Sequence, residues 1–322
     1  MSEERFLVTG ALGCIGTWVV KRLVDEATPV WTYDLGTSDH RLRLIMDDAA
    51  MAKVNFVQGD ITDGAQISAT ISEQGITHII HLAALQVPFC RAEPAKGAAV
   101  NVVGTVNIFQ AAKAAGLKQV TYASSIAVYG PKSHYDTPIL PHDAPLYPLT
   151  HYGVYKQANE GTARIFWHDE GIASIGLRPY TLYGPGRDQG MTSAPTAAML
   201  AAAQGEAFHI PYGGVGSFNY ADDVGKIFIQ AARTPHEGAS VFNLGGAVAS
   251  MQEVVDAIHA VTPDAAITFS DTELPTPQGF DDSQLRATLG PIPDTSLETG
   301  VAQTVAHFQT ALANGRLKEK RA

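Results

Sequence analysis

The sequence predicts an α/β fold: a doubly wound parallel sheet of the Rossmann type with a smaller C-terminal substrate-binding lid. Three observations predict it. A short apolar run, Phe6-Leu7-Val8, leads into glycines at 10, 13 and 16 and then into an apolar segment at helical spacing, Thr17 to Val24. Strand-length and helix-length runs then alternate as far as Leu177. After Arg178 that rhythm breaks into sequence rich in glycine and proline. Alternation with short links implies parallel strands with helices on both faces.

The elements follow in order. Phe6 to Val8 is the first strand, and the turn after it needs glycine for three reasons. One glycine turns the chain, one lets backbone amides approach a phosphate, and one lets the helix lie close to the strand. The helix N-terminus then offers free N–H groups and a partial positive charge to a pyrophosphate. Cys14 and Ile15 sit inside this loop, Cys14 as a small packed residue. Val30 to Tyr33 reads as the second strand, ending at Asp34, and Val54 to Val57 as the third, leading to Gly59-Asp60-Ile61. A helix from Ala65 to Ser72 precedes the fourth strand, Ile79 to Leu82, which closes in Ala83-Ala84. One long helix is expected from about Ala95 to Ala115, then a fifth strand over Gln119 to Ala123. Thr150 to Glu170 is helical, and Ala173 to Leu177 is the sixth strand.

Beyond Arg178, helices are expected over Pro195 to Gln204, Asp222 to Ala232, Met251 to Ala260 and Val301 to Leu312. Ser240 to Leu244 reads as a strand that rejoins the main sheet. Residues 1–178, with 221–247 returning, thus form a dinucleotide-binding domain, and 179–220 with 248–322 a smaller substrate-binding domain. Arg316 to Arg321 reads as a solvated, frayed end.

The 322 residues carry a net charge of −10, with 45% apolar and 17% charged residues. No Lys/Arg stripe is present to attract nucleic acid or an anionic membrane surface. The N-terminus enters the first strand at once, leaving no room for a signal peptide, and no apolar run is long enough to span a bilayer. Two cysteines, Cys14 and Cys90, make no disulfide framework, and no grouping reads as a metal site. A cytoplasmic enzyme is expected.

Asp34 stands eighteen residues beyond Gly16. A carboxylate there accepts hydrogen bonds from both ribose hydroxyls and repels a 2′-phosphate, so NAD is favoured over NADP. The structural alternative is a turn aspartate capping Gly36. Asp60 is placed to touch the adenine edge, or to cap the next helix. Tyr152 and Lys156, four residues apart, share one helix face. An ammonium nearby lowers the pKa of a phenol, and the phenolate can take a proton from an alcohol as hydride leaves its carbon. Ser124 and Ser125 end the fifth strand, where a hydroxyl can hold the reacting oxygen. Tyr155 lacks a lysine four residues on and is a decoy.

These motifs together resemble the extended short-chain dehydrogenase/reductase superfamily, the group of NAD-dependent sugar epimerases and dehydratases. The matching residues include Thr9 to Gly16, Asp34, Gly59-Asp60, His81-Leu82-Ala83-Ala84, Asn101 to Thr105, Ser124 to Gly130, Tyr152 to Lys156, Leu177-Arg178-Pro179 and Tyr183 to Gly186. The resemblance implies NAD as cofactor, held by Gly10, Gly13, Cys14, Ile15, Gly16, Asp34, Asp60 and Ile61. Leu82, Ala83, Ala84, Asn101, Tyr152 and Lys156 complete that set. It implies Tyr152 as acid/base, Lys156 on the nicotinamide ribose and Ser125 on the reacting oxygen. Gln86, Ser125, Tyr180 and Arg187 are the expected substrate contacts. Related enzymes pair the helices near Ala95–Ala115 and Thr150–Glu170 at a twofold axis, which implies a homodimer.

The departures bear on substrate. Dehydratases of this family carry an acid just after the serine or threonine; here Ile126 and Ala127 fill that place. Nucleotide-sugar members usually carry Asn two residues before the Tyr-Gly pair and Arg ahead of Tyr-x-Asp-Asp-Val; here Thr181 and Gly216 stand there. Two missing phosphate contacts point to a substrate without a nucleotide, unless Arg187 replaces them. Arg187 follows the Tyr183 to Gly186 turn and suits a carboxylate or phosphate, or else pairs with Asp188 on the surface. The first expectation is an NAD-dependent dehydrogenase oxidising a secondary alcohol of a sugar, sugar acid or polyol. The alternative is a nucleotide-sugar 4-epimerase with tightly bound NAD. A non-catalytic NAD sensor would not need Ser125, Tyr152 and Lys156 together.

Overall fold

The computed structural model describes residues 3–317. Seven strands form one parallel sheet in the order Ala239–Asn243, Ala173–Arg178, Gln119–Ala123, His78–His81, Phe6–Thr9, Val30–Asp34, Asn55–Gln58. The strand expected to rejoin the sheet does so, with Phe242 opposite Leu177. The chain winds outward from Phe6–Thr9 to one edge, then restarts at His78–His81 and builds the other side. At this reversal Thr9 lies opposite His81. Ligand crevices open at such a point, beyond the C-terminal ends of the strands.

The first strand is buried on both faces. Phe6 and Val8 pack with Val19, Leu23 and Phe228, while Leu7 packs with Tyr33, Ile67, Ile71 and Phe109. Successive strand side chains point to opposite faces, so an unbroken apolar run suits a strand covered by helices on both sides. Helix Cys14–Asp25 lies on one face against helix Ala221–Arg233.

The helix expected from Ala95 to Ala115 is not continuous. It comprises Pro94–Ala98, a π-helical turn Ala99–Val103, and Gly104–Ala114. Asn101 lies in that turn, fully buried, and its amide accepts from the Leu85 N–H (2.7 Å) and donates to the Leu85 carbonyl (2.9 Å). The widened turn aims this side chain at the loop after His78–His81, a use of π-bulges common near functional sites. A separate helix, Val87–Ala92, precedes it.

The later chain holds strands that its sequence does not announce. Val215–Tyr220 pairs in parallel with Thr181–Tyr183 and antiparallel with Ala247–Ser250. Helices Ala194–Gln204, Met251–Val261 and Leu297–Ala313 pack on one another. Residues 318–321 of the expected frayed end lie outside the described residues.

Candidate active site

One cleft of about 810 Å³ opens over the sheet reversal. It runs from Asp34 past the glycine loop to Ser125, Tyr152 and Lys156, and ends against Tyr180, Arg187 and Thr276. Of the residues expected at the site, all but Asn101 line it. Asn101 instead stands behind the cleft, fixing Leu85 by both hydrogen bonds, so it shapes the wall next to Gln86 without facing the cavity.

The glycines have separate reasons. Gly10 has φ +66°, and a Cβ there would stand 2.6 Å from the Ala83 nitrogen. At Gly16 a Cβ would stand 2.4 Å from the Gly10 carbonyl oxygen. Both positions therefore require glycine to bring the helix start down onto the strand ends. Gly13 is the N-cap of helix Cys14–Asp25 and supplies no side-chain acceptor, so the first-turn amides remain available to a ligand. Burial pushes the Cys14 thiol up to about 11, which keeps it protonated at neutral pH.

Asp34 takes the turn role expected of it and also binds the glycine loop. Its Oδ1 accepts from the Gly36 N–H (3.1 Å) and its Oδ2 from the Leu12 N–H (3.0 Å). Each oxygen keeps further acceptor capacity, and the residue lines the cleft. Asp60 does not cap the following helix; Asp63 does, accepting from Gln66 N–H at 3.0 Å. Asp60 Oδ1 instead accepts from the Thr62 N–H and hydroxyl, both at 2.8 Å.

The two serines are set apart by their partners. Ser124 is buried and donates to Glu160 Oε1 (2.5 Å). Ser125 lies beside the Tyr152 phenol and favours its ionisation, and its Oγ accepts from the Ala127 N–H (3.1 Å). Both serines line the cleft, but Ser124 is committed to Glu160, which leaves Ser125 as the hydroxyl for Tyr152. Lys156 is buried and donates to the Ala123 carbonyl (2.6 Å), with its Nζ 5.7 Å from the centre of the Tyr152 ring. Burial pushes the lysine down to about 8.

The lowering of the Tyr152 pKa expected from the lysine is not met in the protein alone. Burial dominates and holds the phenol above its ordinary value. The Ser125 hydroxyl and the Arg187 charge pull the other way. The lysine is turned to Ala123, and the counteracting cation is Arg187.

Arg187 also departs from its surface alternative. Asp188 does not pair with it; Asp188 binds Arg41 and His40. Arg187 Nη2 donates to Thr192 Oγ1 (3.2 Å), and its buried Nε has no hydrogen-bond partner among the described residues. A buried donor left unsatisfied is costly, and a ligand acceptor removes the cost. Tyr180 hydrogen-bonds Thr276 and packs edge-on against Phe280. A Cβ at Gly216 would touch the Tyr180 ring at 3.7 Å, so the slot where an arginine would stand borders this wall. Thr181 is buried in its strand, away from the cavity lining.

Glu160 was not singled out from sequence. It forms a two-point ion pair with Arg178 (2.8 and 2.7 Å) and receives Ser124, tying the Tyr152 helix to the strand ends. The signal was available: Glu160 continues the spacing of Tyr152 and Lys156 by four more residues on the same face. Buried His81 is held between Thr9 Oγ1 (2.7 Å) and Thr105 Oγ1 (3.1 Å).

A dinucleotide-binding loop and a Ser/Tyr/Lys group facing one cavity define the chain as a nucleotide-dependent oxidoreductase-type enzyme. The pattern of the NAD dependent epimerase/dehydratase family matches residues 6–245. A UDP-glucose 4-epimerase of Mycolicibacterium smegmatis is 31% identical, covering 95% of this chain and 98% of its own. Among solved structures, MoeE5 in complex with UDP-glucose and NAD is 26% identical with a TM-score of 0.79, over 96% of this chain and 99% of that one. L-threonine dehydrogenase from Clostridium difficile, at 20% identity, shares the fold with a TM-score of 0.84, over 96% of this chain and 99% of that one.

The chain belongs to the NAD-dependent epimerase/dehydratase family, is an enzyme of the extended short-chain dehydrogenase/reductase type and uses NAD. The site fits that cofactor: the glycine cradle, the uncapped helix start and the Asp34 acceptors face one cavity. Among the described residues, no helix is long and apolar enough to cross a membrane.

Proposed function

We propose that this enzyme is an NAD-dependent dehydrogenase that oxidises a secondary alcohol of a small sugar acid, with neutral sugars and polyols as weaker substrates. The observation that carries the reading is Arg187: a buried guanidinium N–H without a partner among the described residues, on the wall of the cavity that holds Tyr152. A carboxylate would satisfy it with a charge-assisted pair. Thr181 and Gly216 support a substrate without a nucleotide, because neither offers a phosphate a donor side chain that reaches the cavity.

In this reading Asp34 and the glycine loop hold the adenosine end, and Lys156 holds the nicotinamide ribose. NAD, when bound, supplies the hydride acceptor and a positive charge. Ser125 would hold the substrate oxygen by its hydroxyl, Tyr152, ionised once the charge of bound NAD offsets its burial, would take the hydroxyl proton, and Arg187 would fix the carboxylate and so orient the substrate. Fixed orientation of this kind is worth orders of magnitude in rate. Ile126 and Ala127 line the cavity where an acid for elimination would stand, so dehydration is not the reaction.

A second reading, a UDP-sugar 4-epimerase, has its own support. The Mycolicibacterium relative is an epimerase over its full length, and MoeE5 holds UDP-glucose with NAD. The pairing of Asp188 with Arg41 and His40 at the cofactor end also suits an enzyme that retains its cofactor. Incubating the protein with NAD and a panel of sugars, aldonic acids and uronic acids separates the two. NADH accumulation with an acid supports the dehydrogenase; conversion of UDP-glucose to UDP-galactose without NADH accumulation replaces it with the epimerase.

A cytoplasmic homodimer completes the proposal. Val154, Ala158, Gly161 and Ile165 form an outward stripe on helix His151–Glu170, and Val103 is exposed beside helix Gly104–Ala114. A twofold pairing of these helices would cover both. A monomeric mass by light scattering at micromolar protein would remove it.

A further inference from the structure

Cofactor choice in this chain involves a second acid besides Asp34. Arg41 lies on the cofactor end of the cleft, seven residues beyond Asp34. Its Nη1 donates to the Leu12 carbonyl (2.8 Å), while the N–H of the same residue donates to Asp34 Oδ2 (3.0 Å). One residue of the glycine loop therefore separates the guanidinium from the carboxylate. An arginine near the ribose is what accommodates a 2′-phosphate in NADP enzymes. Here that arginine is already committed. Its Nε and Nη2 both donate to Asp188 Oδ1, at 2.9 and 2.7 Å, filling the edge that would grip an oxyanion. Asp188 Oδ2 is held in turn by His40 Nε2 (3.0 Å), whose Nδ1 meets Ser38 Oγ (2.9 Å). Arg41 is only 15% exposed, so the pair is sheltered on the guanidinium side although Asp188 itself is 45% exposed.

We propose that Asp188 is a specificity-determining residue for the cofactor. It occupies Arg41 and so withholds the guanidinium that lies beside the ribose site from a 2′-phosphate. Asp34 rejects NADP by direct repulsion, and Asp188 rejects it by removing the compensating cation. The two acids come from opposite sides of the cleft, 154 residues apart, and act on the same phosphate. Removing Asp34 alone leaves a site that tolerates NADP without gripping it.

The test is calorimetric titration of NADP⁺ and NAD⁺ into D34S, D34S/D188N and D34S/D188N/R41A, which reads binding without turnover. The Asp188 change in the D34S background should improve NADP⁺ affinity relative to NAD⁺ by about tenfold, the size of one charge-assisted hydrogen bond. Adding R41A should abolish that gain. A gain below about threefold, or one that survives R41A, overturns the proposal, because Arg41 would then not be the group that Asp188 withholds.

Discussion

The cofactor end and the substrate end of the cleft are built on different terms. At the cofactor end the charged side chains already have partners within the chain. Asp34 accepts from two backbone amides, Asp60 from Thr62, and Arg41 is bound to Leu12 and Asp188. At the substrate end partners are missing among the described residues: Arg187 keeps an unpaired buried N–H, while Phe89, Leu149 and Met191 stand 52%, 70% and 68% exposed on the rim. A site for a fixed ligand can be pre-organised completely, whereas the part that selects a substrate leaves its donors to be satisfied on binding.

The largest effect is expected where the committed network lies behind the site. Glu160 and Arg178 are buried together, their side chains 9% and 6% exposed. Glu160→Gln keeps the shape but strands the guanidinium, and should lower the unfolding free energy by about 3–5 kcal/mol. Chemical denaturation measures it; a loss under about 1 kcal/mol would mean that the network is not holding the Tyr152 helix to the strand ends. Next comes the reacting pair. Tyr152→Phe should reduce kcat by at least ~10²-fold with NAD affinity retained. Near wild-type turnover would remove Tyr152 from the acid/base role.

At the open end a smaller effect is expected. Arg187→Lys keeps the charge and loses the planar fork, so KM for an acidic substrate should rise about tenfold while a neutral sugar of similar shape is unaffected. Equal changes for both would make Arg187 a structural residue. A further effect, of comparable size, is a pH dependence behind the strand ends. Burial pushes His81 down to about 3, so it folds neutral. The unfolded chain takes up a proton there as pH falls below about 6.5, and the native state does not until about 3. Stability from this group is full above 6.5 and declines toward acid, by at most about 1.4 kcal/mol per pH unit. Between pH 7 and pH 5 the wild type should lose about 2 kcal/mol more than His81→Gln. Identical losses would show that His81 titrates in both states alike.

The same contrast explains what was legible in the sequence. The glycine loop, Asp34 and the Tyr152–Lys156 spacing are local patterns, and local patterns survive in a linear text. The parallel sheet followed from strand-length and helix-length runs that alternate with short links. The partners were not legible. Asp188 meets Arg41 across 147 residues, and Ser124 meets Glu160 across 36, so what occupies Ser124 and what keeps Asp188 from Arg187 depend on tertiary packing. The π-turn at Asn101 reads as ordinary helix, because the Leu85 contact its side chain makes lies 16 residues away in the sequence. The strands of the later chain, such as Phe208–Ile210 against Ile267–Phe269, are too short to show a period.

The central claim is that the open end takes a small carboxylate and not a nucleotide sugar. Calorimetric titration of the NAD-loaded protein with an aldonic acid and with UDP-glucose tests it most directly. The expected result is saturable binding of the acid that Arg187→Lys weakens about tenfold, the loss of one charge-assisted pair, with no saturable binding of UDP-glucose. Tight binding of UDP-glucose that is untouched by Arg187→Lys would contradict it.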